Sequence, residues 1–202
     1  QDRIRAVDYA RATLRQGGKA VKFRLSNKYA NTDGFTAVSS INTLVELVRD
    51  QHEVKTILDM PLTDYVFWVS TFAVPSWQSQ LDNDGLIPNK ATQIYNEVYA
   101  MVVYLLETYS DTGKRFYIGN WEGDWMLSGE YRTDPNTIPQ NRIQGMIDWA
   151  NIRQQAVDDA KANTAHTDVD VWFYLEMNKA DWMRDGLPCV VNNVIPAMPK
   201  LD

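Results

Sequence analysis

The sequence predicts an α/β fold built on a mostly parallel sheet. Four runs of strand length recur along the 202 residues: AVKFRLS, DYVFWVSTFAV, RFYIG and DVDVWFYLEMN. Segments with helical spacing of apolar residues separate them. Connections that hold a helix cannot be hairpins, and strands joined by such crossovers lie parallel.

The elements follow in order. Val7, Ala10 and Leu14 give the N-terminal segment a helical period, and Gly17-Gly18 stops it. AVKFRLS, Ala20 to Ser26, alternates apolar and polar residues as a strand does. Leu44, Val45, Leu47 and Val48 share one face of a helix over Ile41 to Gln51. Asp64 to Val74 is β-branched and aromatic throughout, which predicts a strand covered on both faces. A long helix, ATQIYNEVYAMVVYLLETYSD, leads to RFYIG. QNRIQGMIDWANIRQQAVDDAKAN is the next helix, and DVDVWFYLEMN, Asp168 to Asn178, the last strand. No repeat or linker interrupts residues 1–202, so a single α/β domain is expected.

Composition narrows the function. Lys and Arg total 20 against 26 for Asp and Glu, and the basic residues are scattered. That excludes a nucleic-acid footprint and a basic membrane patch. No run reaches the ~18 apolar residues of a membrane span. The one cysteine, Cys189, excludes an internal disulfide and is expected to be a buried, inert thiol. Seven Trp and ten Tyr exceed what a core of this size needs, and such rings often line sites for flat or hydroxylated ligands. No phosphate loop or dinucleotide fingerprint is present, and the expectation is a protein without a cofactor.

The chemistry concentrates where two strands end. RFYIG is followed by Asn120, Trp121, Glu122, Gly123, Asp124 and Trp125, and VWFYL by Glu176 and Asn178. In parallel α/β folds ligands bind at the carboxyl ends of the strands. In extended chain Asn120, Glu122 and Asp124 share one face, and Glu176 and Asn178 another such face. Two neighbouring carboxylates repel, so that one holds a proton while the other stays ionised. Glycoside hydrolysis uses such a pair, about 5–5.5 Å apart for retention and about 6.5–9.5 Å for inversion.

These strand ends and the order of elements resemble the (β/α) barrels of clan A glycoside hydrolases, the superfamily of cellulases, mannanases and β-glycosidases. The resemblance implies a TIM-barrel-like fold, Glu122 as general acid/base and Asn120 as the asparagine that contacts a sugar hydroxyl. In that family asparagine directly precedes the glutamate, whereas here Trp121 stands between them. Glu176 is then a second catalytic carboxylate, and Trp121, Asp124, Trp125, Asn178 and Trp77 are substrate-binding candidates. The resemblance covers roughly strands two to five, and no nucleophile is assigned.

A complete barrel of this kind takes about 250 residues. The expectation is therefore an incomplete or half barrel, whose exposed edges and face are covered by a second copy or a complementing chain. A start at Gln1 points to a processed mature protein or, in better accord with the half barrel, to a piece of a longer one, and a secreted or periplasmic location is expected.

Plainer readings compete at each position. Glu122 and Asp124 can cap the next helix or pair with Arg115 or Arg132, and Glu176 can bind a backbone amide or Lys179. Trp68, Trp149 and Trp172 lie within apolar runs and are expected in the core. His52 and His166 fall away from the strand ends and are expected at the surface. Two other functions remain: a non-catalytic carbohydrate-binding or structural barrel fragment, and a barrel lyase or isomerase whose strand-end acids hold Mg²⁺.

Overall fold

The structure, a computed structural model, describes residues 6–32, 34–72, 81–82, 85–86, 90–129 and 134–202. Helix α1 (Ala6–Arg15) leads into β1 (Ala20–Leu25), followed by α2 (Tyr29–Thr32), α3 (Leu44–Asp50), α4 (His52–Leu58) and β2 (Asp64–Val69). Two short strands, β3 (Leu81–Asp82) and β4 (Gly85–Leu86), pair antiparallel. Helix α5 (Lys90–Thr108) precedes β5 (Lys114–Gly119), and α6 (Gly123–Ser128) and α7 (Gln140–Asn163) precede β6 (Val169–Phe173). After α8 (Ala180–Arg184), single turns of π- and 3-10 helix lead to the last residues.

The main sheet has four parallel strands in the order β1-β2-β5-β6, the order in which the chain makes them. Connections between successive parallel neighbours take the right-handed sense as a rule, which puts the crossover helices α3, α5 and α7 on one side of the sheet. The consequence is visible along each strand. Val21, Phe23, Tyr65, Phe67, Phe116, Ile118, Val171 and Phe173 face the helices and are buried, whereas Lys22, Val66, Trp68, Tyr117 and Trp172 on the other face stay partly or wholly exposed. β2 is therefore covered on one face only, where its apolar run predicted two. Trp172, expected in the core, stacks instead on Tyr117 across the open face, with ring centroids 5.2 Å apart.

The core lies between this sheet and α3, α5 and α7. Phe67 and Phe116 stack at 6.0 Å, and Leu44, Leu47, Val98, Met101 and Leu105 close over them from the helices. Each such side chain contributes about 1.5–3 kcal/mol by leaving water. Thr43 caps α3 by accepting from the Glu46 N–H, so the apolar face of that short helix meets the sheet at a fixed angle. Among the described residues no helix is long and apolar enough to cross a membrane. Cys189 is buried and free, and burial pushes its thiol pKa up.

Candidate functional site

β5 ends at Gly119, and the next five residues do not continue the extended chain. Glu122 turns into the left-handed region (φ 42°, ψ 70°), and Gly123 opens α6. Asn120, Glu122 and Asp124 therefore do not share a strand face. This turn is instead joined to the segment after β6 by side-chain and backbone hydrogen bonds. Asn120 Oδ1 accepts from the Glu176 N–H (3.2 Å), the Gly123 N–H donates to the Glu176 carbonyl (2.8 Å), and the Asp124 N–H donates to Asn178 Oδ1 (3.2 Å). A Cβ on Gly123 would lie 2.3 Å from the Glu176 carbonyl oxygen, so only glycine permits this approach.

Glu176 has both carboxylate oxygens engaged. Lys22 Nζ donates to Oε1 (2.8 Å), while Trp68 Nε1 (2.8 Å) and the Glu122 N–H (3.0 Å) donate to Oε2. The backbone-amide contact expected as its plainer alternative is thus present, with Lys22 rather than Lys179 as the cation. The same ammonium lies 4.3 Å above the Trp68 ring. Glu122 is the opposite case. Its backbone is held by Glu176, but its half-buried carboxylate makes no hydrogen bond or ion pair among the described residues.

Asp124 is 1% exposed, and Oδ2 accepts from the N–H groups of Asn178 (2.8 Å) and Lys179 (2.9 Å) while Oδ1 accepts from that of Val190 (2.8 Å). It ties three chain segments together, and Asn178 is its reciprocal partner through Oδ1 and the backbone N–H; both oxygens of Asp124 are taken. Trp125 is covered by Lys179, whose Nζ stands 4.2 Å from the ring centroid. Trp77 lies outside the described residues.

Beside this knot is a cavity of about 570 Å³, whose wall includes Lys22, Arg24, Trp68, Ser70, Asn120, Trp121 and Trp149. Trp121 is 39% exposed and stands edge-on to Trp68, with ring centroids 6.4 Å apart. Asn120, directly before it, is 3% exposed, and its Nδ2 has no hydrogen-bond partner. Glu122 follows these two wall residues in the chain. Among the described residues no three His, Cys, Asp or Glu side chains gather to hold a metal ion. His52 is exposed at the start of α4, and His166 Nδ1 lies 2.7 Å from the Thr164 carbonyl, both away from the cavity wall.

Two wall residues escaped the sequence reading. Lys22 occupies a polar position of an alternating strand, which reads as ordinary solvent face; Trp68 occupies an apolar run, which reads as core. The signal for both was the pairing of a cation and an indole on the same sheet face at neighbouring strands, legible only once β1 and β2 are known to be adjacent.

Comparison with protein-family models, with curated proteins and with solved structures gave no match.

Proposed function

We propose that this chain is a barrel-like glycosidase that acts on β-linked carbohydrate, with Glu122 as general acid/base. The observation that carries the reading is the Glu122 carboxylate, which has no partner among the described residues although main-chain contacts fix the backbone beneath it. Proton transfer to a glycosidic oxygen needs a group that is held in place yet chemically disengaged. A non-glycine residue in the left-handed region costs about 1–2 kcal/mol, and such strain clusters at functional sites. Trp68 and Trp121 offer apolar faces to a pyranose ring, and Asn120 offers an amide.

Glu122→Gln tests it on an aryl β-glycoside. The expected result is a fall in kcat of about 10²–10⁴-fold with the fold intact; unchanged turnover sinks the assignment.

One observation favours a second reading, binding without hydrolysis. Glu176 is bound to Lys22, Trp68 and Glu122, and the described cavity wall carries no carboxylate. Oligosaccharide binding by calorimetry with no release of reducing ends supports that alternative. The arrangement lends nothing to the Mg²⁺ reading, because the oxygens of Asp124 are taken by backbone N–H groups.

The proposal includes a cover for the half-exposed sheet face, by a second copy or a complementing chain that completes the barrel. Light scattering at twice the mass of one chain supports the second copy; the mass of one chain removes it.

A further inference from the structure

Arg153 of α7 is fully buried, and its guanidinium is only partly satisfied. Nη1 donates to the Val69 carbonyl (3.0 Å), while Nε and Nη2 have no acceptor. The guanidinium carbon lies 4.5 Å from the Trp149 ring centroid and 5.7 Å from that of Phe173. Burial pushes its pKa down to about 9, which leaves it charged at neutral pH. An unpaired buried charge is expensive, and a buried donor without an acceptor costs about 1–3 kcal/mol.

This protein satisfies a buried arginine elsewhere. Arg142, 4% exposed, places Nε on the Leu127 carbonyl, Nη1 on that of Leu81 and Nη2 on that of Met126. Arg153 lacks two of those three contacts. The two nitrogens left over are the side-on pair that accepts a carboxylate in parallel hydrogen bonds. The structure contains that fork twice: Nε and Nη2 of Arg49 bind the two oxygens of Asp50 (2.7 and 2.6 Å), and those of Arg184 bind Asp185 (2.7 and 3.0 Å).

The fork lies behind the cavity wall. Val69, which accepts from Nη1, and Trp149, which stacks on the guanidinium, both line the cavity. Asn120 in the same wall adds a third donor without an acceptor, its buried Nδ2. Among the described wall residues the charged side chains are Lys22 and Arg24, both cations. Lys22 is already paired with Glu176, whereas Nε and Nη2 of Arg153 and Nδ2 of Asn120 remain without an acceptor among the described residues.

We infer that the cavity takes a carboxylate-bearing sugar, a uronic acid, whose carboxylate pairs side-on with Nε and Nη2 of Arg153. The sugar part rests on the carbohydrate reading of the site; the carboxylate part rests on the empty fork. Arg153 is not itself a wall residue, so the proposed binding requires Trp149, which lines the cavity and stacks on the guanidinium, to shift as the carboxylate enters.

Calorimetry with glucuronate, glucose and acetate on the wild type, Arg153→Met and Arg153→Lys tests this, with circular dichroism to establish that each variant is folded. Charge-assisted hydrogen bonds of this kind correspond to about 10- to 100-fold in affinity. Glucuronate is expected to bind the wild type more tightly than glucose by that factor, and Arg153→Met to erase the preference while glucose binding stays. Arg153→Lys keeps the charge without the fork and is expected to recover only part of the preference; it decides the question if the Met variant does not fold. Equal binding of glucuronate and glucose, binding of neither, or a preference that survives in Arg153→Met overturns the assignment. Acetate binding that depends on Arg153, with glucuronate bound no more tightly than acetate and glucose not bound, keeps the fork and overturns the sugar.

Discussion

Lys22 Nζ and Glu176 Oε1 stand 2.8 Å apart although Lys22 lies on β1 and Glu176 follows β6, the opposite edges of the sheet. Three strand spacings separate those edges by about 14 Å. The contact is possible because Glu176 lies three residues beyond the end of β6 and folds back over the open face, above Trp68. One carboxylate thereby gathers the first strand, the second strand and the loop after the third. It holds the Glu122 N–H, while the carboxylate of Glu122 itself has no partner among the described residues.

Lys22 and Glu176 should consequently separate stability from activity. Their side chains are 40% and 25% exposed, so the ion pair itself contributes less than about 1 kcal/mol. Lys22→Met should shift the urea midpoint only slightly. Glu176→Gln leaves one acceptor oxygen for two sets of donors, Lys22 on one side and the Trp68 and Glu122 N–H groups, which share Oε2, on the other, so the side chain can no longer hold both. Small displacements of a catalytic group are costly, and kcat on an aryl glycoside should fall about 10-fold or more with KM little changed. A Glu176→Gln enzyme with wild-type kcat would show that Glu122 does not depend on it.

Glu122→Gly should stabilise the protein while removing activity. The left-handed conformation at φ 42° costs a glutamate about 1–2 kcal/mol and a glycine almost nothing. Part of that gain is lost to the greater freedom of glycine in the unfolded chain. A net increase of about 1 kcal/mol in denaturant unfolding is expected. Destabilisation instead would mean that the Glu122 side chain makes structural contacts.

Asp124→Asn should be damaging for structural reasons. Three backbone N–H groups converge on a carboxylate that is 1% exposed, and an amide can turn only one oxygen toward them. At least one buried donor is left without an acceptor, at a cost of about 2–3 kcal/mol. Thermal unfolding should register this before any assay does. A variant of unchanged stability would return Asp124 to the pool of ligand-binding candidates.

How far the sequence disclosed this arrangement depended on what each residue does. The parallel sheet was legible because strand-length runs alternate with helical segments, which makes each connection a crossover. The one-sided burial of β2 was hidden by side chains that are apolar on both faces, Tyr65 and Phe67 buried but Val66 and Trp68 only partly so. Helix α4 was less legible, since its seven residues are short for a periodic signal. The motif after RFYIG pointed to the right place, yet the partition of roles within it was hidden. Asp124 and Glu122 are both acids past a strand end, and only the φ of Glu122 and the convergence of distant N–H groups on Asp124 distinguish them. Arg153 was hidden for a related reason: within a helix pattern a lone arginine reads as solvent face, and nothing local records that it turns inward to Val69.

A last prediction concerns acid stability and lies at the amino ends of the strands, away from the cavity. Asp64 on β2 accepts from Arg115 Nη2 (2.7 Å), Thr63 Oγ1 (2.7 Å) and Tyr117 Oη (3.2 Å). Burial acts to raise its pKa, but these donors outweigh it and hold the carboxyl below its usual value. A carboxylate whose folded pKa is depressed binds fewer protons folded than unfolded, so its stabilisation is present above the unfolded value of about 3.9. It is lost as pH falls through the folded pKa. Asp64→Asn removes that dependence, and the stability difference between variant and wild type should be largest at neutral pH and shrink below about pH 4. Denaturant midpoints measured from pH 7 to pH 2.5 decide it; a difference constant across that range would show that Asp64 is no more acidic folded than unfolded.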